Sequence, residues 1–353
     1  PKGNDGVQNG DESGVDCGGS TTGAPRCSAG VACLVHDDCA SNGCSFDHKC
    51  ALKRSCTPPL GGATCGTGEV GSANANHESC CATAKLSGSS VMMNKYHVTA
   101  GRMRAFIERL NGNVRAFAKT TAGWNTDWDG FVPSTPAEAD IMLGSFWNGA
   151  SNDTNGDNSK RSCGPGSFGG HTYFTPPNLS NPSQPDFSDF SQADLDVKAL
   201  NCVGWHLARA FCSWDGGRLP TLAEIIDAFK NGGTTTYPWG NAGYDPVEPD
   251  NRLNHRFNYR YPNVPGRRLL QNGDAADIAW HVSPPGRFAL GANAKGIEIA
   301  GNLLHWVNDA EYGFTETSSW ERHDATLGQG NWKDAWPGEP NGYYAVGFRC
   351  VYD

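Results

Sequence analysis

Ten of the chain's fourteen cysteines fall before residue 82: Cys17, Cys27, Cys33, Cys39, Cys44, Cys50, Cys56, Cys65, Cys80 and Cys81. The spacing is irregular, contains no CxxC pair and has few histidines nearby, so it disfavours zinc and favours a disulfide framework. Disulfides at this density form in an oxidising compartment, which places the expected location outside the cell or on its surface. The chain opens on Pro1 without a signal-type segment, as expected of a processed protein whose signal segment has been removed. Spacing alone leaves the pairing open.

Residues 1–65 read as a disulfide-stabilised arm, rich in Gly and Asp and lacking periodic apolar residues, in which disulfides replace a core. A second unit, 66–353, has a different texture. VTAGRMRAFIERLNG predicts a helix with Thr99 as N-cap and Met103, Phe106, Ile107 and Leu110 on one face. CVGWHLARAFCSWDGG predicts a second helix, closed by Gly216-Gly217. In RLPTLAEIIDAFKNGG, Thr221 and Glu224 form a capping box ahead of a third. A polar insert spans roughly 148–195, and so long a loop without elements of its own is usually functional or held by a partner. With 45 Gly and 21 Pro, and short strands expected after residue 233, the class is α+β and loop-rich. The net charge of −9 argues against nucleic acid as partner. No apolar run approaches the roughly 20 residues of a membrane span.

Five stretches carry a resemblance: KYHVTAGRMRAFI, WHLARAFCSWDGGRLPTLAEI, YPWGN, PPGRFALGANAKGIEIAGNLLHWVND and VGFRC. In this order they resemble the formylglycine-generating-enzyme family, also called the sulfatase-modifying-factor family, over about residues 85–353. That resemblance implies a variant of the C-type-lectin fold. The arm is similar to a Cys-rich module of secreted myxobacterial proteins. In a bacterial setting the sequons at Asn152 and Asn178 are incidental. The family's oxidase activity uses a cysteine pair between its GN-x-W-E-W motif and the terminal GFRC, where a thiolate acts as copper ligand and nucleophile. This chain has no cysteine from Val307 to Arg349, so neither that reaction nor copper is expected. Another branch of the family uses iron held partly by histidines of a helical domain that has no counterpart in this sequence, so iron is not expected either. The family's motif also places a glutamate where His305 stands, in a loop that binds a structural calcium. Mapped here, the ligands are Glu298, the carbonyls of Gly301 and Leu303, and His305. Calcium prefers hard oxygen ligands, so the imidazole alters or abolishes that site.

Other candidates come from the residues themselves. His305, between Leu304 and Trp306, is either a ligand for a softer metal or, as its flanks favour, a core histidine with hydrogen-bonded nitrogens. Asp5, Asn9, Asp11 and Asp16 crowd a Gly-rich loop as a calcium site would, yet lack EF-hand spacing; a solvated acidic turn reads equally well. Trp332, Trp336, Tyr343 and Tyr344, with Arg256 and Asn258, are candidates for a groove that takes glycan or peptide. Trp320 reads as core. The expectation is a non-catalytic surface module acting in ligand binding or as a structural subunit, with itself or another surface protein as partner. The alternatives are an oxidase with a relocated metal site, using His305 with Glu298 or His323, and a carbohydrate-binding lectin.

Overall fold

The computed structural model describes residues 3–19, 23–35, 38–40, 44, 48–50, 55–56, 65–66, 77–78, 80–143, 172–173, 195–243, 245, 252–254, 282–286, 288–309, 314–315 and 345–353. Most of the 148–195 insert and the whole candidate groove (Arg256, Asn258, Trp332, Trp336, Tyr343, Tyr344) lie outside the described residues, as do Trp320 and His323.

The three expected helices form where their caps dictate. In α1, Ala100–Arg109, the Thr99 side chain accepts from the Arg102 N–H, and Met103, Phe106 and Ile107 are buried. The capping box of Thr221 and Glu224 opens Leu222–Phe229, whose Ile225, Ala228 and Phe229 face inward. Between them lies Trp205–Trp214, which ends as Gly216 turns at φ +88° and the Gly217 N–H reaches the Cys212 carbonyl. Two further helices, Val114–Ala118 and Pro136–Leu143, were not expected. The first is one short turn capped by Asn113, too short to show periodicity. In chain order these five helices are labelled α1 (Ala100–Arg109), α2 (Val114–Ala118), α3 (Pro136–Leu143), α4 (Trp205–Trp214) and α5 (Leu222–Phe229).

The strands are two or three residues long. β1 (Cys65–Gly66) pairs with β2 (His77–Glu78). β3 (Thr83–Lys85), β4 (Met92–Asn94) and β8 (Val351–Tyr352) form an antiparallel sheet. β5 (Leu304–Trp306) is the centre of another, antiparallel to β6 (Phe314–Thr315) and parallel to β7 (Val346–Gly347). The chain's last strands thus complete sheets begun far upstream. Phe106, Trp205, Phe211, Trp214, Trp306 and Phe348 pack one core between α1, α4 and β5–β7. Met93, Ile225, Phe229, Ile299, Val307 and Val351 form a second beneath α5.

Disulfides appear where the cysteine clustering demanded them. Cys17–Cys27, Cys33–Cys44 and Cys39–Cys50 knit the arm, and their buried sulfurs make up most of its interior. Cys56–Cys81 ties the arm's end to the second unit, and Cys212–Cys350 clamps α4 to the strand ahead of the C-terminus. Beside Cys56, Ser55 is wholly buried: its N–H and hydroxyl both donate to Asp215 Oδ1 at 2.8 Å. Arg102 completes the junction, donating to Ser55 Oγ, to the Cys80 carbonyl and, at 2.7 Å, to Asp215 Oδ2. Tyr352 donates its hydroxyl to the same oxygen. Anchoring therefore begins inside the segment assigned to the arm.

Candidate functional site

The Gly-Asn signature at 301–302 is a backbone requirement first. Both residues adopt left-handed conformations, at φ +76° and +66°, which favour Gly and are tolerated by Asn. A Cβ on Gly301 would come within 2.8 Å of the Asn254 N and Leu253 Cβ atoms. The buried Asn302 amide then fastens three segments. Its Oδ1 accepts from the Ser283 N–H and Asn254 Nδ2, and its Nδ2 donates to the Ser283 carbonyl.

This turn delivers β5 into the core and places His305 there, fully buried. Its Nε2 lies 3.1 Å from the Ile299 carbonyl. A carbonyl only accepts, so Nε2 carries the proton and Nδ1 the lone pair. Nδ1 has no hydrogen-bond partner among the described residues. The ring stacks on a second buried imidazole, His97, at 4.4 Å between centroids. His97 Nε2 donates in the same way to the Leu303 carbonyl at 3.2 Å. Burial holds both imidazoles well below their ordinary pKa; at His97 the neighbouring His305 and then Arg349 add to this, and at His305 Arg349 does. Both rings are therefore neutral.

Arg349, from the GFRC motif, is buried beside the pair. It donates to the carbonyls of Asn94, Lys95 and Glu298. Burial lowers its pKa to about 9, with the Glu298 carboxylate opposing that fall. The Glu298 carboxylate accepts from the N–H groups of Gly286 and Phe288, and burial raises its pKa.

Glu298, Leu303 and His305 are thus brought to one buried region, and protein groups meet their polar atoms there, except His305 Nδ1. The Leu303 carbonyl is taken by His97, and the Glu298 side chain by two backbone N–H groups. A guanidinium with its positive charge already stands among them, and a second cation would pay for that proximity in a low-dielectric interior. The arrangement suits packing and hydrogen bonding; it presents no open face to a substrate.

In the arm, Asp5 accepts from Asn9 Nδ2 and from the Val7 N–H, and Asp16 accepts from the Gly6 N–H through both oxygens. Asp11 is exposed. Among the described residues, no three acidic or histidine side chains bring ligand atoms within 4.8 Å of one another; the sole such group, Cys33, Cys39 and Cys50, consists of disulfide sulfurs. Buried carboxylates of this region are instead Glu12, which accepts from the Asn9 N–H, and Asp38, which accepts from the N–H groups of Gly19, Leu34 and Val35.

Sequence reasoning missed His97, Arg349 and the Asn254–Ser283–Asn302 latch. His97, Asn302 and Arg349 lie within the quoted motif stretches, but their partners are 19 to 255 residues away and the local sequence does not say what they meet. It also missed Arg209, although Trp205 and Arg209 stand one helical turn apart, a spacing that brings side chains together.

Residues 61–353 match the model of the sulfatase-modifying factor enzyme 1-like domain. Among curated proteins, the chain is similar to the inactive C-alpha-formylglycine-generating enzyme 2 of Bos taurus, 34% identical over 107 residues, or 30% of this chain and 31% of that protein. It is 28% identical to the formylglycine-generating enzyme of Mus musculus over 133 residues, covering 37% of this chain and 32% of the relative. The chain therefore spans about a third of the length of these relatives. Among solved structures, PvdO from Pseudomonas aeruginosa aligns over 74% of this chain and 79% of its own, with a TM-score of 0.37 and 16% identity.

Proposed function

Because the chain belongs to the sulfatase-modifying factor family but has lost the thiols of its chemistry, we propose that it is a non-catalytic module working outside the cell. The observation that carries this reading is the empty interval from Val307 to Arg349, which holds no cysteine. In the oxidase chemistry that the family resemblance implies, a thiolate in this interval serves as copper ligand and nucleophile. Cys350, just beyond the interval, is bonded to Cys212 and buried, and among the described residues no cysteine is free. Similarity to a relative named as inactive agrees with it.

The module's work is binding or assembly. The arm supports this: Val7, Val15, Leu34 and Val35 are exposed on it by 58–72%, and among the described residues only Leu290 joins them as an exposed large apolar side chain. Anchoring of Ser55 and Cys56 holds the arm's base against the second unit. The arm is therefore suited to dock on another surface protein or a second copy.

The test is oxygen consumption by the purified full chain on cysteine-containing peptides, with and without added copper, alongside metal analysis. The expected result is no turnover and no stoichiometric copper or iron. Thiol-dependent oxygen uptake that scales with protein concentration would sink the reading. Sedimentation over a range of concentrations checks the assembly version, for which self-association or capture of a defined surface partner is expected.

A further inference from the structure

Arg209 lies on α4 one turn after Trp205. Its guanidinium sits 5.4 Å from the ring centroid of Trp128 and 5.5 Å from that of Trp205. Nη1 donates to Asn308 Oδ1 at 2.6 Å and Nη2 to the Gly123 carbonyl at 3.4 Å. Neither acceptor is charged. Nε is buried without an acceptor, so only the second proton on each Nη remains to be used. Arg102, Arg104, Arg115 and Arg218 each meet a carboxylate. Arg209 meets none among the described residues. Its partial burial lowers its pKa, with no neighbouring charge contributing. A cation stripped of part of its water and given no counterion is costly, and such a cost is commonly recovered when an anion arrives.

The surroundings narrow the anion. Trp124 and Trp128 are partly exposed and meet edge to face, 5.4 Å apart at 86°. The Trp124 indole is held in place by its N–H, which donates to Asp129 Oδ1 at 3.1 Å. Asn125 lies exposed beside them; its Oδ1 accepts from the Asp127 N–H at 3.0 Å and its Nδ2 donates to Asp127 Oδ2 at 3.5 Å, which fixes the loop that carries Trp124. Fixed indole faces suit the apolar face of a pyranose ring, and a guanidinium suits a carboxylate. An acidic peptide would use the guanidinium alone, whereas a carboxylated sugar uses the exposed part of an indole as well.

We propose that Trp124, Trp128 and Arg209 form a binding site for a carboxylated sugar, a uronic-acid unit of an acidic glycan. This deepens the reading of the chain as a binding module and rests on it. The two remain separable, since thiol oxidation and glycan binding share no readout.

The experiment is affinity electrophoresis of the full chain through gels containing polygalacturonate, a neutral glucan or polyglutamate. The protein's net charge of −9 disfavours non-specific attraction to a polyanion, so retention is informative. Polygalacturonate is expected to retard the chain, and the other two to do so at least about tenfold more weakly, a difference of about 1.4 kcal/mol. Arg209→Gln and Trp124→Ala are each expected to weaken retention about tenfold in protein that still unfolds cooperatively. If Arg209→Gln does not fold, Trp124→Ala, at a partly exposed loop position, decides alone. The proposal is overturned by absence of retention on polygalacturonate, by equal retention on polyglutamate (which assigns the site to acidic peptides), or by a folded variant that binds like the parent.

Discussion

The stacked pair of His97 and His305 makes acid stability a direct measure of how the core is built. Both imidazoles are held neutral, with folded pKa values well below 6.5, chiefly by burial. The unfolded chain frees them to titrate near 6.5. Below that pH the unfolded state binds protons that the folded state refuses, so stability falls as pH falls. Between pH 7.5 and 5.0, each histidine takes up about 2 kcal/mol of proton binding in the unfolded state alone, about 4 kcal/mol for the pair. For a protein of ordinary stability, about 5–15 kcal/mol, that is a large share.

Glu298 works in the opposite direction. Its folded pKa is raised, so it takes up a proton more readily when folded and offsets part of the loss. A variant comparison removes this ambiguity. His305→Gln keeps a donor for the Ile299 carbonyl and no longer titrates. Its stability is expected to fall by about 2 kcal/mol less than the parent's over the same range, and His97→Gln should behave alike. The assay is urea unfolding followed by tryptophan fluorescence at half-unit pH steps, with disulfides intact, comparing midpoints at a common m value. Parallel pH profiles for the parent and both variants would refute the reasoning, because they would mean that the imidazoles protonate equally in both states.

Other perturbations test separate parts of the framework. Asp215→Ala leaves Arg102 buried without its counterion and removes the acceptor of Ser55 and Tyr352. The expected loss is about 3–5 kcal/mol, and limited proteolysis should show the arm's base opening near Ser55. The double variant Cys212→Ala, Cys350→Ala opens a link between residues 138 apart in sequence. The chain-entropy model assigns a loop of that length about 5 kcal/mol, to be read in denaturant midpoints against the parent. Gly301→Ala strains a left-handed backbone and drives a Cβ into Asn254; a loss above about 2 kcal/mol is expected, with no comparable effect at Gly243, which is not left-handed and where an added Cβ meets nothing within 4 Å. Chelation is expected to leave the unfolding midpoint unchanged if the Glu298–His305 region holds no cation, whereas a calcium-dependent rise lost in Glu298→Gln would restore the metal reading.

Much of this fold is legible in sequence because its information is local. Thr99 caps α1, Thr221 and Glu224 box the start of α5, and Gly216-Gly217 end α4, each through contacts within a few residues. Clustered cysteines announce a disulfide arm for an equally plain reason: a segment with so little apolar periodicity has no other source of stability. The empty interval before Arg349 is visible without coordinates, and it bears most directly on function. What tertiary structure alone decided is the fate of the polar residues. His305 was open between ligand and core because periodicity says that a residue is buried, not what its nitrogens meet. Only the fold brings His97 and Arg349, the latter from the far end of the chain, against it. Pairing Cys212 with Cys350, joining Asp215 to Ser55 and leaving Arg209 among tryptophans without a carboxylate among the described residues are of the same kind. Strands of two or three residues carry too few side chains to encode their partners, so long-range packing chose them, and with them the environment of every buried charge.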